Sequence, residues 1–215
     1  MKLVDADTKK QLKNVHDLYE EAFPKSEKKP FQMILEGREK GNYGIMAIEG
    51  EKGEFLGLAI TMHYKELVLL DYFAIDSGCR GTGVGGEALR ELQRRYAGKK
   101  FLLEIESTVG HGDGNNKDRY DKAGNSKGGY DKGGNNKDGY DMQNEKIPDE
   151  EAILRLRRKD FYLRNGMQPM DFLVNLFGVE MEIMTYDCTV TFEEYYSILE
   201  HLLPAELAAK VRMVD

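Results

Sequence analysis

The sequence predicts a mixed α/β fold in which helices flank a central, largely antiparallel sheet. Apolar residues at helical spacing alternate with strand-like apolar runs, in the order ααβββαβαββ followed by a closing helix. Residues 67–76 are apolar almost throughout, as expected for a strand that lies deep in a sheet. A glycine-rich turn follows this run and leads directly into a helix. We therefore expect one domain over residues 1–215, interrupted by a low-complexity insertion at 110–146.

Two helices and three strands are predicted ahead of this turn. Thr8 can cap a first helix, whose apolar residues recur at helical spacing until Pro24 ends it. A second helix starts at Pro30 and reaches Gly41. The predicted strands lie at residues 43–50, 54–64 and 67–76.

The elements after the glycine-rich turn complete the sheet and its helical cover. Thr191 and Glu194 form a capping box ahead of the closing helix, and Gly166 is a suitable C-cap for the helix before it. The predicted elements are a helix over residues 84–96, a strand over 100–107, a helix over 148–165, strands over 172–177 and 179–186, and a helix that ends near residue 203.

Composition and charge exclude several classes of protein. The chain has 31 basic and 38 acidic residues and a formal net charge of −7, which argues against a nucleic-acid partner bound through its phosphates. The apolar runs are too short to cross a bilayer, and the N-terminus lacks an apolar secretory segment. We therefore expect a cytoplasmic protein without a membrane partner. Cys79 and Cys188 are too few for a cysteine-rich zinc site, and the four histidines lie on different predicted elements, so we expect no metal.

Residues 110–146 differ in composition from the rest of the chain. This stretch holds nine glycines and six asparagines, and a tyrosine recurs every ten residues, at Tyr120, Tyr130 and Tyr140. One aromatic residue in ten cannot bury enough surface to offset the entropy of ordering the chain. We expect a flexible, solvated insertion in a surface loop.

The turn after the strand at 67–76 is the part of the sequence that most clearly indicates a ligand-binding site. Five glycines fall within the nine residues 78–86, a cost in backbone entropy that is usually offset where the backbone approaches a ligand. The N–H groups of such a turn and of the following helix N-terminus attract an anion, typically phosphate, and Arg80 adds positive charge. The turn is not a P-loop, because Glu87 and Ala88 follow Gly86 in place of Lys and Ser or Thr.

Two separate stretches carry recognisable motifs. The segment Arg80-Gly81-Thr82-Gly83-Val84-Gly85 fits Arg-x-x-Gly-x-Gly, and the pair Phe161-Tyr162 is followed by Gly166. The first resembles the pyrophosphate-binding signature of the GNAT superfamily of N-acetyltransferases, Gln/Arg-x-x-Gly-x-Gly/Ala. The second resembles the Phe-Tyr-x-x-x-Gly-Phe end of that family's late helix, and residues 73–76 look like the end of its fourth strand. The element order is similar over nearly the whole chain outside the insertion.

The resemblance implies an acetyl-CoA-dependent N-acetyltransferase in which a primary amine attacks the thioester directly within a ternary complex. In this family the fourth and fifth strands splay apart, and the pantetheine arm lies in the gap. Backbone groups at the end of the fourth strand would bind the pantetheine, and N–H groups of the turn would hold the pyrophosphate. The residues assigned to acetyl-CoA in this way are Phe73, Ala74, Ile75, Arg80, Gly81, Thr82, Gly83, Val84, Gly85 and Gly86.

Proton transfer in such a reaction needs an acid for the leaving thiolate and a base for the amine. Tyr162 matches the family's acid tyrosine. Side chains alternate along a strand, so Leu102, Glu104 and Glu106 share one face of the fifth strand, where two glutamates indicate a polar cleft. Glu106, nearer the strand end, is the expected base, with Glu104 or a water relay as alternatives. Arg155 stands where some family members carry an asparagine.

The sequence leaves several points open. A non-catalytic CoA-binding domain that recruits a partner through the repeat would carry the same glycine turn. An enzyme that uses another acyl-CoA would carry the same motifs. The acceptor amine, on a small molecule or a peptide, depends on variable loops. The sequence also leaves the oligomeric state open, a homodimer included.

Overall fold

The computed structural model describes residues 1–108 and 150–214, so the predicted insertion at 110–146 lies outside the described residues. The strands are β1 (Lys2–Asp5), β2 (Tyr43–Glu49), β3 (Phe55–Tyr64), β4 (Leu67–Ile75), β5 (Lys100–Glu106), β6 (Gln168–Leu176), β7 (Val179–Tyr186) and β8 (Arg212–Val214). The helices are α1 (Lys9–Ala22), α2 (Phe31–Glu39), α3 (Val84–Arg95), α4 (Glu150–Arg164), α5 (Phe192–Leu202) and α6 (Ala205–Ala208). A short 3₁₀ turn, Ser77–Cys79, lies between β4 and α3.

One sheet contains all of these strands, in the order β1-β2-β3-β4-β5-β7-β6-β8. Neighbouring strands are antiparallel except β4 and β5, which run parallel. The helix α3 forms the crossover that a parallel pair requires. The prediction of a mixed α/β fold with a largely antiparallel sheet is confirmed.

Local sequence signals account for several helix ends. Thr8 forms a capping box with Gln11 at the start of α1, and Thr191 forms one with Glu194 at the start of α5. Gly166 takes a left-handed φ of 85° just after α4, as a C-cap glycine does. Across the described residues, none of the helices has the length and apolar character to span a membrane.

Three short elements and one strand start differ from the sequence-based prediction. The prediction lacks β1, β8 and α6, because three or four residues carry too little periodicity to be recognised. β1 and β8 are the two edge strands of the sheet. β6 begins at Gln168 rather than at residue 172, and its register against β7 shifts between Pro169 and Leu173. A proline and a register shift obscure the alternation that would mark this part of the strand.

Each face of the sheet buries its own apolar core, and this division positions the site. The α1–α5 face is covered by α1, α2 and α5, and its core includes Tyr19, Ile34 and Tyr195. The α3–α4 face is covered by α3 and α4, and its core includes Leu89 and Tyr162. A group on one face can reach the other only where neighbouring strands separate.

Candidate active site

The parallel strands β4 and β5 pair over a short stretch and then separate. Their last matched pair is Leu70 with Leu103, although both strands continue beyond it. At the same level the register between β3 and β4 shifts between Ile60 and Thr61, which leaves Asp71 as the extra residue of a β-bulge. A bulge bends a strand and redirects its side chains. A gap therefore opens between β4 and β5 at Asp71.

Beyond the bulge, the edge of β4 that faces the gap has no strand partner among the described residues. Phe73, Ala74 and Ile75 pair with β3 on their other side. Backbone N–H and C=O groups on an unpaired edge can bind an extended chain with the hydrogen bonds of an added strand. The amide groups of a pantetheine arm can form such bonds, so these three residues fit the role that the resemblance assigns to them.

The glycine turn follows directly from this end of β4. Arg80 donates a hydrogen bond of 3.0 Å from Nε to the carbonyl oxygen of Ile75, and Thr82 donates one of 2.7 Å from Oγ1 to the carbonyl oxygen of Cys79. These contacts hold the turn against the strand and bring the Arg80 guanidinium to the mouth of the gap.

The backbone of the turn presents several N–H groups in one place. Gly81 and Gly83 have φ of 77° and 90°, a left-handed conformation that favours glycine. In the part of the chain that the structure describes, the N–H groups of residues 81–86 donate to no protein acceptor. Such N–H groups at the N-terminus of a helix, here α3, form a binding site for an anion.

α4 packs closely against this end of α3. A Cβ on Gly86 would lie 2.9 Å from Asn165 Oδ1, and one on Gly85 would lie 3.5 Å from the ring of Phe161. The Phe161 ring also stacks on Phe73 of β4, with ring centroids 6.5 Å apart. The two glycines therefore allow α4 to border both the turn and the gap.

Tyr162 lies beside Phe161 in the core of the α3–α4 face. Burial raises the pKa of its phenol to about 12, against a smaller opposing effect of Arg158. Within residues 1–108 and 150–214 its hydroxyl has no hydrogen-bond partner. The phenol is therefore protonated at neutral pH, as an acid must be before it acts, and its proton is not committed to another described group.

Glu106, the base expected from the sequence, is engaged by a guanidinium. Arg155 Nε lies 2.5 Å from Glu106 Oε2, and both side chains are partly buried. Arg155 is also the residue at which the sequence departs from the family pattern. The carboxylate of Glu106 is thereby held by a cation, which makes Glu106 the less suitable of the two candidate bases.

The environment of Glu104 suits a general base better than that of Glu106 does. It is the first residue of β5 beyond the last pair with β4, and the Tyr195 hydroxyl donates a hydrogen bond of 2.7 Å to its Oε1. Burial raises the pKa of Glu104 from 4.5 to about 7; the charge of Asp71 adds to this shift, while Tyr195 and Lys29 oppose it. A carboxyl group that titrates near neutral pH is suited to general-base catalysis.

A charged pair lies at the start of the gap on the same face. Lys29, in the connection between α1 and α2, places Nζ 2.6 and 2.7 Å from the two carboxylate oxygens of Asp71. The Asp71 side chain is 8% exposed and that of Lys29 is 20% exposed, so neither charge is fully solvated. Glu104, Asp71 and Lys29 thus gather on the α1–α5 face.

Comparison with known proteins identifies the fold. No model of a known protein family matches the sequence, and no curated protein matches it. Several solved structures do match over most of their length. One is a protein from Bacteroides thetaiotaomicron assigned to the GNAT family of acetyltransferases, with 16% identity over 94% of each chain and a TM-score of 0.61.

Two further structures were solved with ligands. An aminoglycoside 6'-N-acetyltransferase with coenzyme A is 15% identical over 89% of this chain and 100% of its own, with a TM-score of 0.57. A spermidine N-acetyltransferase from Vibrio cholerae with CoA and spermine is 9% identical over 90% of this chain and 96% of its own, with a TM-score of 0.55. The chain has the GNAT fold.

The GNAT fold brings together the two stretches that the sequence assigns to the cosubstrate. Residues 73–75 lie on the edge of the gap, and residues 80–86 form the turn beyond it. The candidate acid and bases are separated by the sheet, with Tyr162 on the α3–α4 face and Glu104 on the α1–α5 face. The gap between β4 and β5 connects these two faces.

Three residues of this candidate site are not predicted from the sequence, namely Lys29, Asp71 and Tyr195. Asp71 did leave a signal, because it is the one charged residue within the apolar strand β4. Lys29 and Tyr195 left none, since one lies in a polar connection and the other in the apolar stripe of a helix. No group of three His, Cys, Asp or Glu side chains among the described residues could hold a metal ion.

Proposed function

We propose that this chain is an acetyl-CoA-dependent N-acetyltransferase that transfers the acetyl group directly to a primary amine in a ternary complex. The observation that carries the proposal is the opening of β4 from β5 at Asp71, next to a turn whose N–H groups are unpaired within the described part of the chain. The unpaired edge of β4 suits an amide-containing arm, and the anion site in the turn that follows it suits a pyrophosphate. A ligand that carries both groups could occupy the two places together.

Acetyl-CoA has both of these parts, and it supplies the thioester that is the acyl donor. Its pyrophosphate would accept hydrogen bonds from the N–H groups of residues 81–86, with Arg80 nearby. Its pantetheine arm would pair with the free edge of β4 at residues 73–75. Two of the similar structures were solved with coenzyme A, which supports this assignment.

The acid and the base would act from opposite faces of the sheet, across the gap between β4 and β5. We assign the base to Glu104 in preference to Glu106, because Glu104 titrates near neutral pH and Glu106 is paired with Arg155. Tyr162, protonated at neutral pH, would donate its proton to the leaving thiolate. The amine would then approach from the α1–α5 face. A domain that only bound CoA would need neither an acid nor a base at the gap.

The acceptor that fits this face is a small primary amine. An ammonium group would meet the Glu104 carboxylate there, which favours a cation over a neutral or acidic group. Two of the structural neighbours are named for amine acceptors, spermidine and aminoglycosides, which are small molecules of this class.

Calorimetric titration of acetyl-CoA into the wild-type protein and a Gly83→Glu variant tests the proposal. Gly83 has φ of 90° at the N-cap of α3, and a Glu there would strain the turn and place a carboxylate at the anion site. Gly98→Glu is the matched control, because Gly98 has φ of 84°, also has open space around its Cα, and lies at the other end of α3.

We expect the wild type and Gly98→Glu to bind acetyl-CoA and Gly83→Glu to lose binding. Release of free thiol in the presence of primary amines would then establish turnover. Absence of binding by the wild type would overturn the proposal. Binding without thiol release for any amine would instead favour a CoA-binding domain without catalysis.

A further inference from the structure

The bulge in β4 places two consecutive residues on the same face of the sheet. Asp71 pairs with Lys29, and Lys29 Nζ lies 5.3 Å from the centroid of the Tyr72 ring and 3.6 Å from Met62 Sδ. Both Tyr72 and Met62 belong to the core of the α1–α5 face. The Lys29 ammonium therefore lies on this face, at the narrow end of the gap.

The backbone around Lys29 is fixed to the same place. The Tyr19 hydroxyl donates a hydrogen bond of 2.8 Å to the Lys29 carbonyl oxygen, and the Lys29 N–H donates one of 3.1 Å to the Tyr72 hydroxyl. The Tyr72 hydroxyl in turn donates to the carbonyl oxygen of Glu27 at 2.8 Å. The side chain of Lys29 is thus held at the bulge by its own backbone as well as by Asp71.

A proton acceptor and a buried hydroxyl lie on the same face of the sheet as this ammonium. Glu104 follows the last β4–β5 pair on β5 as Asp71 does on β4, and both side chains lie on the α1–α5 face. The Tyr43 hydroxyl is buried in the core of this face and has no hydrogen-bond partner among the described residues. A primary amine, its counter-ion and a proton acceptor therefore lie together at the point where β4 separates from β5.

We propose that Lys29 is an internal acceptor and that the chain transfers an acetyl group from acetyl-CoA to its own Lys29 Nζ. This inference rests on the proposed function, since it uses the same donor and the same gap. It adds a modification site and a reaction that needs no second substrate.

The Lys29 ammonium loses one proton to the Glu104 carboxylate, and the Nζ lone pair attacks the thioester carbonyl carbon. An N–C bond forms and the C–S bond breaks. The leaving thiolate takes a proton from the Tyr162 hydroxyl. The amine then loses its second proton, which reprotonates Tyr162. The products are N-acetyl-lysine at position 29, the thiol form of CoA and one proton.

Acetylation would also change the face on which it occurs. It removes the positive charge of Lys29, so the 8% exposed Asp71 carboxylate loses its counter-ion. A buried charge without a partner is strongly unfavourable. Asp71 would then become available to the ammonium of an external amine.

The test incubates the full chain with acetyl-CoA and no added amine. Intact mass first establishes that the starting protein is unmodified. We expect a gain of one acetyl group that peptide mapping assigns to Lys29, with a rate constant independent of protein concentration. Lys29→Arg should show no gain while keeping the charge beside Asp71. Glu104→Gln should lower the labelling rate by about 10²-fold or more, as expected for loss of a general base.

Lys28→Arg is the matched control for position. Lys28 is adjacent in sequence and its side chain is 10% exposed, but it pairs with Glu20 of α1 rather than with a residue at the gap. We expect this variant to be labelled like the wild type and Gly83→Glu not to be labelled. Equal labelling of Lys28 and Lys29, or labelling that persists in Gly83→Glu, would overturn the proposal as non-specific chemistry.

Failure of this proposal is distinguishable from failure of the proposed function. If calorimetry detects acetyl-CoA binding and external amines release thiol while Lys29 stays unmodified, self-acetylation is wrong and the enzyme assignment stands. If the wild type does not bind acetyl-CoA at all, both proposals fail together.

Discussion

The Tyr195 hydroxyl donates a hydrogen bond of 2.7 Å to Glu104 Oε1 and so joins α5 to β5 at the point where β5 separates from β4. Burial and the nearby charge of Glu104 raise the pKa of Tyr195 well above 10. The phenol therefore remains a donor over the whole pH range in which Glu104 titrates. Tyr195 fixes one oxygen of the carboxylate, and the other oxygen has no hydrogen-bond partner among the described residues.

Substitution of Glu104 by Gln should lower kcat by about 10²- to 10⁴-fold, the usual effect of losing a general base. The wild-type rate should fall as the pH drops through about 7, because Glu104 becomes protonated there and can no longer accept a proton. The residual rate of Glu104→Gln should lack this inflection. Steady-state kinetics of thiol release across a pH series measures both effects.

Glu106→Gln provides the matched comparison on the same strand face. Glu106 is paired with Arg155, so its loss should affect turnover much less than the loss of Glu104 and should leave the inflection near pH 7 in place. The reverse order of effects would reinstate Glu106 as the base. Equal and small effects of the two substitutions would point to proton transfer through water.

Tyr195→Phe should move the acidic limb of the pH–rate profile to higher pH. The Tyr195 hydrogen bond stabilises the carboxylate form and lowers the pKa of Glu104 against the effect of burial. Without it the pKa of Glu104 rises further above 7, and the carboxylate is less populated at neutral pH. A profile that keeps its midpoint but falls uniformly would show that Tyr195 contributes packing only.

Glu104 should also make the stability of the fold depend on pH. Its pKa is about 7 in the folded chain and 4.5 for an unperturbed glutamate, so folding favours the protonated form. The stabilisation is fully present below about 4.5 and is lost as the pH rises through about 7. The loss is on the order of 3 kcal/mol. Urea unfolding of the wild type and Glu104→Gln at about pH 5 and about pH 8 measures this difference. The substituted chain should lose less stability over this interval, and parallel losses would contradict the assignment.

Tyr162→Phe should lower kcat by about 10²-fold, the lower end of the range for a lost acid, with little change in the KM for acetyl-CoA. The hydroxyl has no hydrogen-bond partner among the described residues, so its removal should leave thermal stability nearly unchanged or slightly raised. A large loss of kcat with an unchanged melting temperature would identify a chemical role for the Tyr162 hydroxyl. An unchanged kcat would leave Tyr162 as a core residue only.

The parts of this structure that the sequence predicts are those with local causes. The capping boxes at Thr8 and Thr191 and the left-handed glycine at Gly166 depend on neighbouring residues alone, and they appear where the sequence indicates. The choice between Glu104 and Glu106 does not have a local cause. It depends on Tyr195 and Arg155, which reach β5 from helices that are distant in sequence.

Lys159 and Glu182 form a buried ion pair that should dominate the attachment of α4 to β7. Lys159 Nζ lies 2.5 Å from Glu182 Oε2, and the two side chains are 9% and 6% exposed. Glu182 Oε1 also accepts hydrogen bonds from the N–H and the Oγ1 of Thr108. Lys159→Met would leave a buried carboxylate without its counter-ion, so we expect a loss of about 3–5 kcal/mol in the free energy of unfolding.

Lys13→Met tests whether this cost comes from burial. Lys13 forms an ion pair with Asp17 one turn along α1, with side chains 73% and 56% exposed. An exposed pair contributes at most about 1 kcal/mol, because water solvates both charges when the contact is lost. Urea unfolding should therefore separate the two variants clearly. Similar losses would mean that water reaches Glu182, and in that case Tyr162 on the same helix as Lys159 would not be held as firmly beside the gap as the structure indicates.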